Sequence, residues 1–471
     1  MVRPKPPVPR SFAASIAWPD GYPERVAAAL EHALAEVPAY QGWRALDPGP
    51  DVPVFERLAR FPTLTKADLR DHGPDGFLPP SRAIDEGIAS GEIELVRTSG
   101  TTSEQVTNTW HQPWWDASER ASWGLNSHTA AADLGSHREA ILTSPRSTGV
   151  PCEDGYLPME KRTRGRFLYL TERTDVSAWT PAHMDRMLRE LAEFAPTALE
   201  ANPSFLARLA RHVLATGARP RSPELIVLTF EHPSPVQRAL IGRAFASQIV
   251  SSYGATEAGY VFMECERGRM HQVTDCCHVD FLPFARRFGG PRLGRLLVTT
   301  LDNPWRALVR FDIGDVARLA APRPGSPAGT RCPCGRTGGI VLDGIEGRAS
   351  GITLDAGGGP VTQAAVDRAL AAVRGLVDHQ LRQDRPGSVR IAYVLDADVL
   401  DAAAGPVRGA DRAVRAALRR LYDRSCAIEA REVPALQPEP SGKYLRTVPT
   451  FAVDADVFLD DAYRPPAARE G

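Results

Sequence analysis

The chain has 471 residues, and its 56 Lys plus Arg against 57 Asp plus Glu leave a formal net charge of −1. A single hydrophobic core rarely grows past about 250–300 residues, so two or more domains are expected. The charge balance removes the electrostatic case for a nucleic acid or an anionic membrane as partner, and no stretch approaches the roughly 18 consecutive apolar residues of a membrane span.

In chain order, residues 22–37 read as an amphipathic helix, with Val26, Ala29, Leu30 and Leu34 on one face. Residues 94–97 form a short apolar-centred segment that runs into a Ser/Thr/Gly cluster. Helices follow at 183–195 and 203–215, each entered through Pro or a polar residue. Residues 225–230 (LIVLTF) and 248–252 (QIVSS) read as buried strands with a helix at 236–245 between them, a βαβ unit with a parallel pair. Further strands are expected at 293–301 and 308–311. Residues 321–330 are a Pro/Gly-rich loop, and Gly344–Gly347 reads as a domain junction. Beyond it lie two Ala-rich helices, 363–374 and 409–424, with strands such as 388–395 between them: a small α+β domain.

Four short motifs carry chemistry. Thr98-Ser99-Gly100-Thr101-Thr102 surrounds a glycine with hydroxyls, and a turn of hydroxyls and backbone N–H groups can wrap phosphate oxygens. Ser252-Tyr253-Gly254-Ala255-Thr256-Glu257 closes a buried strand, where open α/β sheets bind ligands. There Tyr253 offers a flat face for a base and Glu257 a hard oxygen for Mg²⁺. Within Arg310-Phe311-Asp312-Ile313-Gly314-Asp315, a carboxylate can accept both hydroxyls of a ribose. Lys443, after Ser441 and Gly442, is a cation on a Gly turn. Taken singly, each has a plain alternative: a β-turn, a solvated Glu, a turn Asp, a surface Lys.

Their order is the stronger signal. TSGTT, YGATE, RFDIGD, Gly347-Arg348 and Gly442-Lys443 follow one another as in the adenylate-forming superfamily, the acyl- and aryl-coenzyme A ligases, peptide-synthetase adenylation domains and luciferases, which the chain resembles over about residues 95–450. Within it the chain looks most like the phenylacetate–coenzyme A ligase group: Glu231-His232-Pro233 resembles that group's adenine-site turn, and Cys332-Pro333-Cys334-Gly335-Arg336 its Cys-Pro-Cys-Gly-Arg motif. The resemblance implies an α/β fold: a large N-terminal domain (1–345) with mixed sheets and flanking helices, and a small mobile α+β C-terminal domain (346–471). It implies ATP and Mg²⁺ as cofactors, with coenzyme A possible. Thr98–Thr102 and Ser252 would hold phosphates. Tyr253 would stack on adenine with Gly254 beside it in the cofactor site, Thr256 would bind the α-phosphate, Glu257 Mg²⁺, and Asp315 the ribose. Arg348 would bind the cofactor, just before the hinge, and Lys443 would be the adenylation lysine.

Seven cysteines, an odd number, favour a reducing, cytoplasmic compartment over a disulfide framework, and the opening MVRPKPPVPRSFAAS lacks the apolar run of a secretory signal. Cys265, His271, Cys332 and Cys334 make a three-thiolate, one-imidazole set suited to structural zinc. The resemblance favours these four as ligands, with Cys276, Cys277 and His278 as nearby rivals. Cys152 and Cys426 read as unpaired thiols.

The chain departs from the family in three places, the first in the phosphate loop and the later two bearing on the acceptor. Ser103, Glu104 and Gln105 follow TSGTT where the family usually has glycine. Ala349-Ser350-Gly351 stands where an acidic hinge residue is usual. The run TLDAGGGPVTQ, with Asp355-Ala356, lacks the basic residue of a coenzyme A tunnel, and a like charge at Asp355 would repel a phosphate. The expectation is adenylation of a small, aromatic acid in secondary metabolism, antibiotic biosynthesis included, with coenzyme A a poor acceptor. Two alternatives are an ATP-dependent diazotase that activates nitrite for an arylamine, and a non-catalytic nucleotide-binding paralogue. Residues 114–128 and 144–159 are the candidate acid pocket, against the alternative that the tryptophans are core.

Overall fold

The computed structural model describes residues 9–97, 105–152, 156–322, 326, 328–396, 409–436 and 444–466. Packing divides the chain into two units, one of Met1–Ser127, Tyr253–Ile345 and Asp454–Gly471, the other of His128–Ser252 and Glu346–Val453. The Gly344–Gly347 junction is therefore not a loop. It lies inside the strand Val341–Arg348, and the division falls at Ile345/Glu346 within that strand. The segment 346–453 packs in one unit with 128–252, and the segment from Asp454 on belongs with the first unit.

The second unit is built on a parallel sheet. Glu139–Leu142 pairs in parallel with Phe167–Tyr169 on one side and Ala198–Ala201 on the other; Leu225–Leu228 and Gln248–Ala255 extend the sheet, again in parallel. The chain thus leaves its first strand in one direction and then in the other, an order of the 2-1-3-4-5 doubly wound kind, which opens a ligand crevice at the carboxyl ends of the strands. All four residues of Leu225–Leu228 are buried, as a strand covered on both faces requires. Three helices connect these strands. Pro181–Phe194, Pro203–Thr216 and Pro235–Ala244 each begin with proline after a capping residue, Thr180, Asn202 and Ser234, whose side chain accepts from a backbone N–H of the first turn. Ser234 and Gln237 complete a capping box.

In the same unit Ala427–Glu432, Ser388–Leu395, Leu376–Arg385 and Thr447–Pro449 form a four-stranded sheet, in that order. The helices Gln363–Leu370 and Ala410–Tyr422 cover it, around a core that includes Val366, Leu370, Leu381, Ile391, Val414 and Leu418. The small α+β layer expected after residue 346 is present. Val377, Val394 and Leu436 join the core of Leu206, Leu240 and their neighbours.

The first unit holds strands in the order Cys277–Pro283, Leu293–Thr300, Phe311–Leu319, Val341–Arg348, Met270–Gln272 and Gly259–Glu264, packed on the helix Tyr22–Glu36 through Val26, Leu30, Phe281 and Leu296. The strand expected at 308–311 starts only at Phe311. Leu308 and Val309 are buried outside the ladder, and Arg310 has φ of +52°, so an apolar run marked burial rather than strand. A late segment closes this unit: Phe284 bridges Leu459, the Ala285 N–H donates to the Phe458 carbonyl at 2.8 Å, and the Phe458 ring packs on Phe284 and Phe288.

Candidate adenylate site and cysteine cluster

The QIVSS strand does not stop before the tyrosine. It continues as Gln248–Ala255, and a turn over 256–258, closed by the Ala258 N–H on the Ala255 carbonyl, leads to Gly259–Glu264. Two glycines make this hairpin possible. A Cβ on Gly254 would lie 2.3 Å from the Gly259 carbonyl oxygen, and Gly259, at φ of +75°, lies against the Trp114 ring. Thr256 and Glu257 therefore sit on the turn.

Asp315 is set by a β-bulge. Along Leu293–Thr300 and Phe311–Leu319, Arg295 pairs with Val316 but Leu297 with Asp312, so one strand carries extra residues between these pairs. Gly314, at φ of +84°, takes the left-handed position in it, its N–H donating to Asp312 Oδ1 at 3.0 Å. Bulges re-aim side chains, and here Asp315 Oδ2 accepts from the Tyr253 hydroxyl at 2.7 Å. Two residues 62 positions apart, read respectively as base platform and ribose acceptor, are brought together. Glu257, 4% exposed, is paired with Lys66 at 3.3 Å. Arg306 is buried nearby; burial lowers its guanidinium to about 10, against the opposing field of Glu257.

The second unit carries Glu231, His232, Pro233, Ser252 and Arg348. The Ser252 hydroxyl is buried with no hydrogen-bond partner among the described residues. Arg348 ends its strand, exposed. The Glu231-His232-Pro233 turn is pinned from two sides. Glu231 Oε2 accepts from Ser204 Oγ at 2.7 Å, and Gln237 Nε2 donates to the same hydroxyl at 3.2 Å. Arg446, 4% exposed, donates to Gln237 Oε1 at 2.7 Å and to the His232 carbonyl, with Asp367 at 3.2 Å. Burial and the Arg446 charge hold the His232 imidazole at about 4, neutral at physiological pH. Thr98–Thr102 and Lys443 lie outside the described residues, as do Ser103 and Glu104.

The four proposed metal donors converge. Cys265, His271, Cys332 and Cys334 offer ligand atoms that all lie within 4.8 Å of one another. Cys265 and Cys332 sulfurs are 3.7 Å apart, and Cys334 Sγ is 3.4 Å from His271 Nε2. A tetrahedral zinc with Zn–S of about 2.3 Å and Zn–N of about 2.0 Å puts such atoms about 3.8 and about 3.5 Å apart. The donor set and its spacing therefore fit a structural zinc. Arg336 reinforces the junction by gripping Glu266 with two hydrogen bonds, 2.6 and 2.9 Å. The rivals lie elsewhere: Cys277 is in the main core, Cys276 packs with Trp114, and His278 is enclosed by Trp18, Tyr22 and Phe55.

The expected acid-pocket tryptophans are largely structural. Trp114 is buried and donates to the Leu301 carbonyl at 3.0 Å, Trp123 is core, and Trp115 stacks on Trp110 at 3.9 Å. Of 144–159, residues 153–155 lie outside the described set. Asp355 has a local duty: its Oδ1 accepts from the backbone N–H of Gly357 at 2.8 Å and of Gly359 at 2.7 Å, so its charge caps its own turn.

The second unit also buries His183. Arg186, which can only donate, lies 3.1 Å from Nδ1, so Nε2 carries the proton toward Thr171 Oγ1 at 3.3 Å. Burial, then Arg186, lowers this imidazole to about 4, against Glu172; Arg173 and Arg162 push the same way. Because the folded value lies below the unfolded one, the unfolded chain binds more protons between about pH 6.5 and pH 4, and stability falls as pH drops through that window. The melting temperature is expected to fall from pH 6.5 to 4. His183→Gln should flatten that slope by up to about 1.4 kcal/mol per pH unit. Parallel curves for the two proteins would show that His183 is not a source.

No family model and no curated protein matches the chain. Solved structures do. A 2-hydroxyisobutyryl-CoA ligase in its postadenylation state with 2-HIB-AMP superposes at a TM-score of 0.65 and 17% identity, covering 93% of this chain and 90% of that one. The same ligase with R3-HIB-AMP gives 0.63 at 17% identity, with the same coverage. With 2-HIB-AMP and CoA in the thioesterification state it gives 0.51 at 17%, covering 91% and 89%. The chain has the adenylate-forming fold. At this identity the likeness is one of fold, and the chemistry rests on the residues themselves.

Within the adenylate-forming fold, sequence reading missed Lys66, Arg306 and Arg446. Each meets a candidate site residue remote in sequence, Glu257 for the first two and His232 for the third, and lies in no motif of its own. Arg446 alone left a trace, three residues after the Gly-Lys pair.

Proposed function

We propose that the protein activates a small aromatic carboxylic acid as its acyl-adenylate at the expense of ATP, then passes the acyl group to a nucleophile. The acid's carboxylate oxygen attacks the α-phosphorus, the bond from that phosphorus to the α–β bridging oxygen breaks, and pyrophosphate leaves. Such a transfer is carried by positioning and by charge placed where charge develops. Tyr253 would carry the base, Asp315 the ribose and Thr256 an α-phosphate oxygen. Glu257 would hold Mg²⁺, which would screen the phosphates when bound. Ser252, whose hydroxyl has no hydrogen-bond partner among the described residues, and Thr98–Thr102 would meet phosphate oxygens. Cys265, His271, Cys332 and Cys334 would hold a structural zinc. The observation that carries this reading is the 2.7 Å hydrogen bond between Tyr253 and Asp315, on a fold shared with an acyl-CoA ligase.

The test is acid-dependent ATP–pyrophosphate exchange across aryl and alkyl acids and nitrite, followed by product analysis with coenzyme A or an arylamine. Aryl acids are expected to support exchange. Because Ser350 stands in the short turn Ala349–Gly351 at the hinge position, adenylate formation is expected to outpace thioester formation at least about tenfold. The Asp355 charge, spent on its own turn, adds less to this expectation than its sign implies. Exchange with no acid at all would overturn the proposal; stoichiometric, equally fast thioester formation would overturn the acceptor preference.

A further inference from the structure

The late segment that closes the first unit also reaches the bulge that aims Asp315. Ala455–Phe458 is a single helical turn whose Ala455 and Phe458 are buried, as is Leu459 after them. Asp454 caps the turn, its Oδ1 accepting from the Asp456 N–H at 2.9 Å, and Arg464 donates to the Asp456 carbonyl at 2.7 Å. Alongside the Phe284 and Ala285 contacts, the Asp460 N–H donates to the Pro283 carbonyl at 3.0 Å. The backbone at Asp456 is therefore fixed from both sides, against the end of the strand Cys277–Pro283.

Arg295 joins this turn to the bulge. One arm of its guanidinium meets Asp456 Oδ1 and the other Asp312 Oδ2. Asp312 Oδ1 in turn accepts from the Gly314 N–H at 3.0 Å, and the next residue is Asp315, whose Oδ2 takes the Tyr253 hydroxyl at 2.7 Å. Asp456, Arg295, Asp312, Asp315 and Tyr253 all belong to the first unit. An arginine side chain has many rotamers to lose, and a planar fork gripped by a carboxylate at each end keeps one place. The Arg295 side chain is 12% exposed and that of Asp456 52%. An ion pair with one partner so exposed adds little to stability, so its effect lies in where it holds Arg295.

We propose that Asp456 is a positioning residue for nucleotide binding: it holds Arg295 on Asp312 and so keeps the bulge in the shape that lets Asp315 accept the ribose hydroxyls of ATP. This rests on the adenylation reading of Asp315 and adds a support to it from a distant part of the chain. Without Asp456, Arg295 keeps one carboxylate and regains rotamers. Asp312 then moves with it, and the Gly314 N–H loses a fixed acceptor. The loss falls on the aim of Asp315 and leaves the other nucleotide contacts in place.

The experiment measures, by calorimetry with Mg²⁺ present, the affinity for ATP and for a dideoxy-ATP that lacks both ribose hydroxyls. Wild type is compared with Asp456→Ala, Asp456→Asn and Val457→Ala; Val457, exposed in the same turn, is the control. Asp456→Ala is expected to lose at least about fivefold in affinity for ATP, with dideoxy-ATP binding within about twofold of wild type, the size of one displaced hydrogen bond. Asp456→Asn, which keeps the shape without the charge, should lose in the same direction but less. Val457→Ala should match wild type with both nucleotides. A general loosening of the fold would weaken both nucleotides alike, so equal losses in Asp456→Ala, or no loss for ATP, overturn the proposal. A wild type that binds the two nucleotides equally would instead end the ribose reading of Asp315 itself, and the proposal with it, a result distinct from unchanged discrimination in Asp456→Ala.

Discussion

Lys443→Ala is expected to lower acid-dependent ATP–pyrophosphate exchange by at least about 100-fold while leaving ATP affinity within a few-fold of wild type. The residues around it supply the reason. Attack by a carboxylate on a phosphate brings two anions together, and a cation between them is worth most as charge shifts to the phosphoryl oxygens. Removing one preorganised donor at such a site commonly costs about 10²–10³ in rate. Lys443 follows Gly442 and lies three residues before Arg446, which is fastened to Gln237, the His232 carbonyl and Asp367. In sequence, then, Lys443 follows a glycine and precedes by three residues a buried anchor, Arg446. Lys443→Arg keeps the charge but not the point-like ammonium, and is expected to recover only part of the rate. Exchange at the wild-type rate in the Ala variant would remove Lys443 from the reaction.

Purified protein is expected to carry one zinc per chain, and Cys332→Ser to lose it together with about 5 °C or more of melting temperature. The four donors come from two stretches, Cys265 with His271 and Cys332 with Cys334, and a metal joining them closes a loop of dozens of residues. Burial raises the Cys332 thiol, while at Cys334 burial is outweighed by backbone and side-chain hydrogen bonds that lower it. Elemental analysis of the wild type and the variant decides the matter. Equal zinc content in both, or none in either, would show that the four donors hold no metal. Cys426→Ser, in the core of the small sheet and not among the four donors, should leave zinc content unchanged.

What could be read from sequence is what local pattern encodes. The helices Pro203–Thr216 and Pro235–Ala244 were legible because a polar cap and a proline announce them. The strand Leu225–Leu228 was legible because it is apolar throughout. The cysteine set was singled out through the resemblance around Cys332-Pro333-Cys334-Gly335-Arg336, its spacing alone leaving Cys276, Cys277 and His278 as rivals. What escaped depends on register or on strain. The bulge that aims Asp315 exists only relative to Arg295 and Leu297 on the neighbouring strand. The backbone at Phe230, with φ of +69°, goes against the preference of a bulky residue, so no rule of local propensity points to it. Lys66 reaches Glu257 from 191 positions away, and nothing beside it in the chain marks it. The same limit explains the strand misplaced at 308–311: apolarity reports burial, and only the partner strand decides what is ladder.

The segmentation of the two units has a consequence for synthesis on the ribosome. The chain passes from one unit to the other at 127/128, 252/253, 345/346 and 453/454. Neither unit can finish folding as it emerges. The parallel sheet of the second waits for 346–453 to cover Leu206 and Leu240 through Val377, Val394 and Leu436. The first waits longer still, for Phe458 and Leu459 to reach Phe284 and Ala285. Nascent chains halted before residue 454 should expose the Phe284 surface and be held by chaperones.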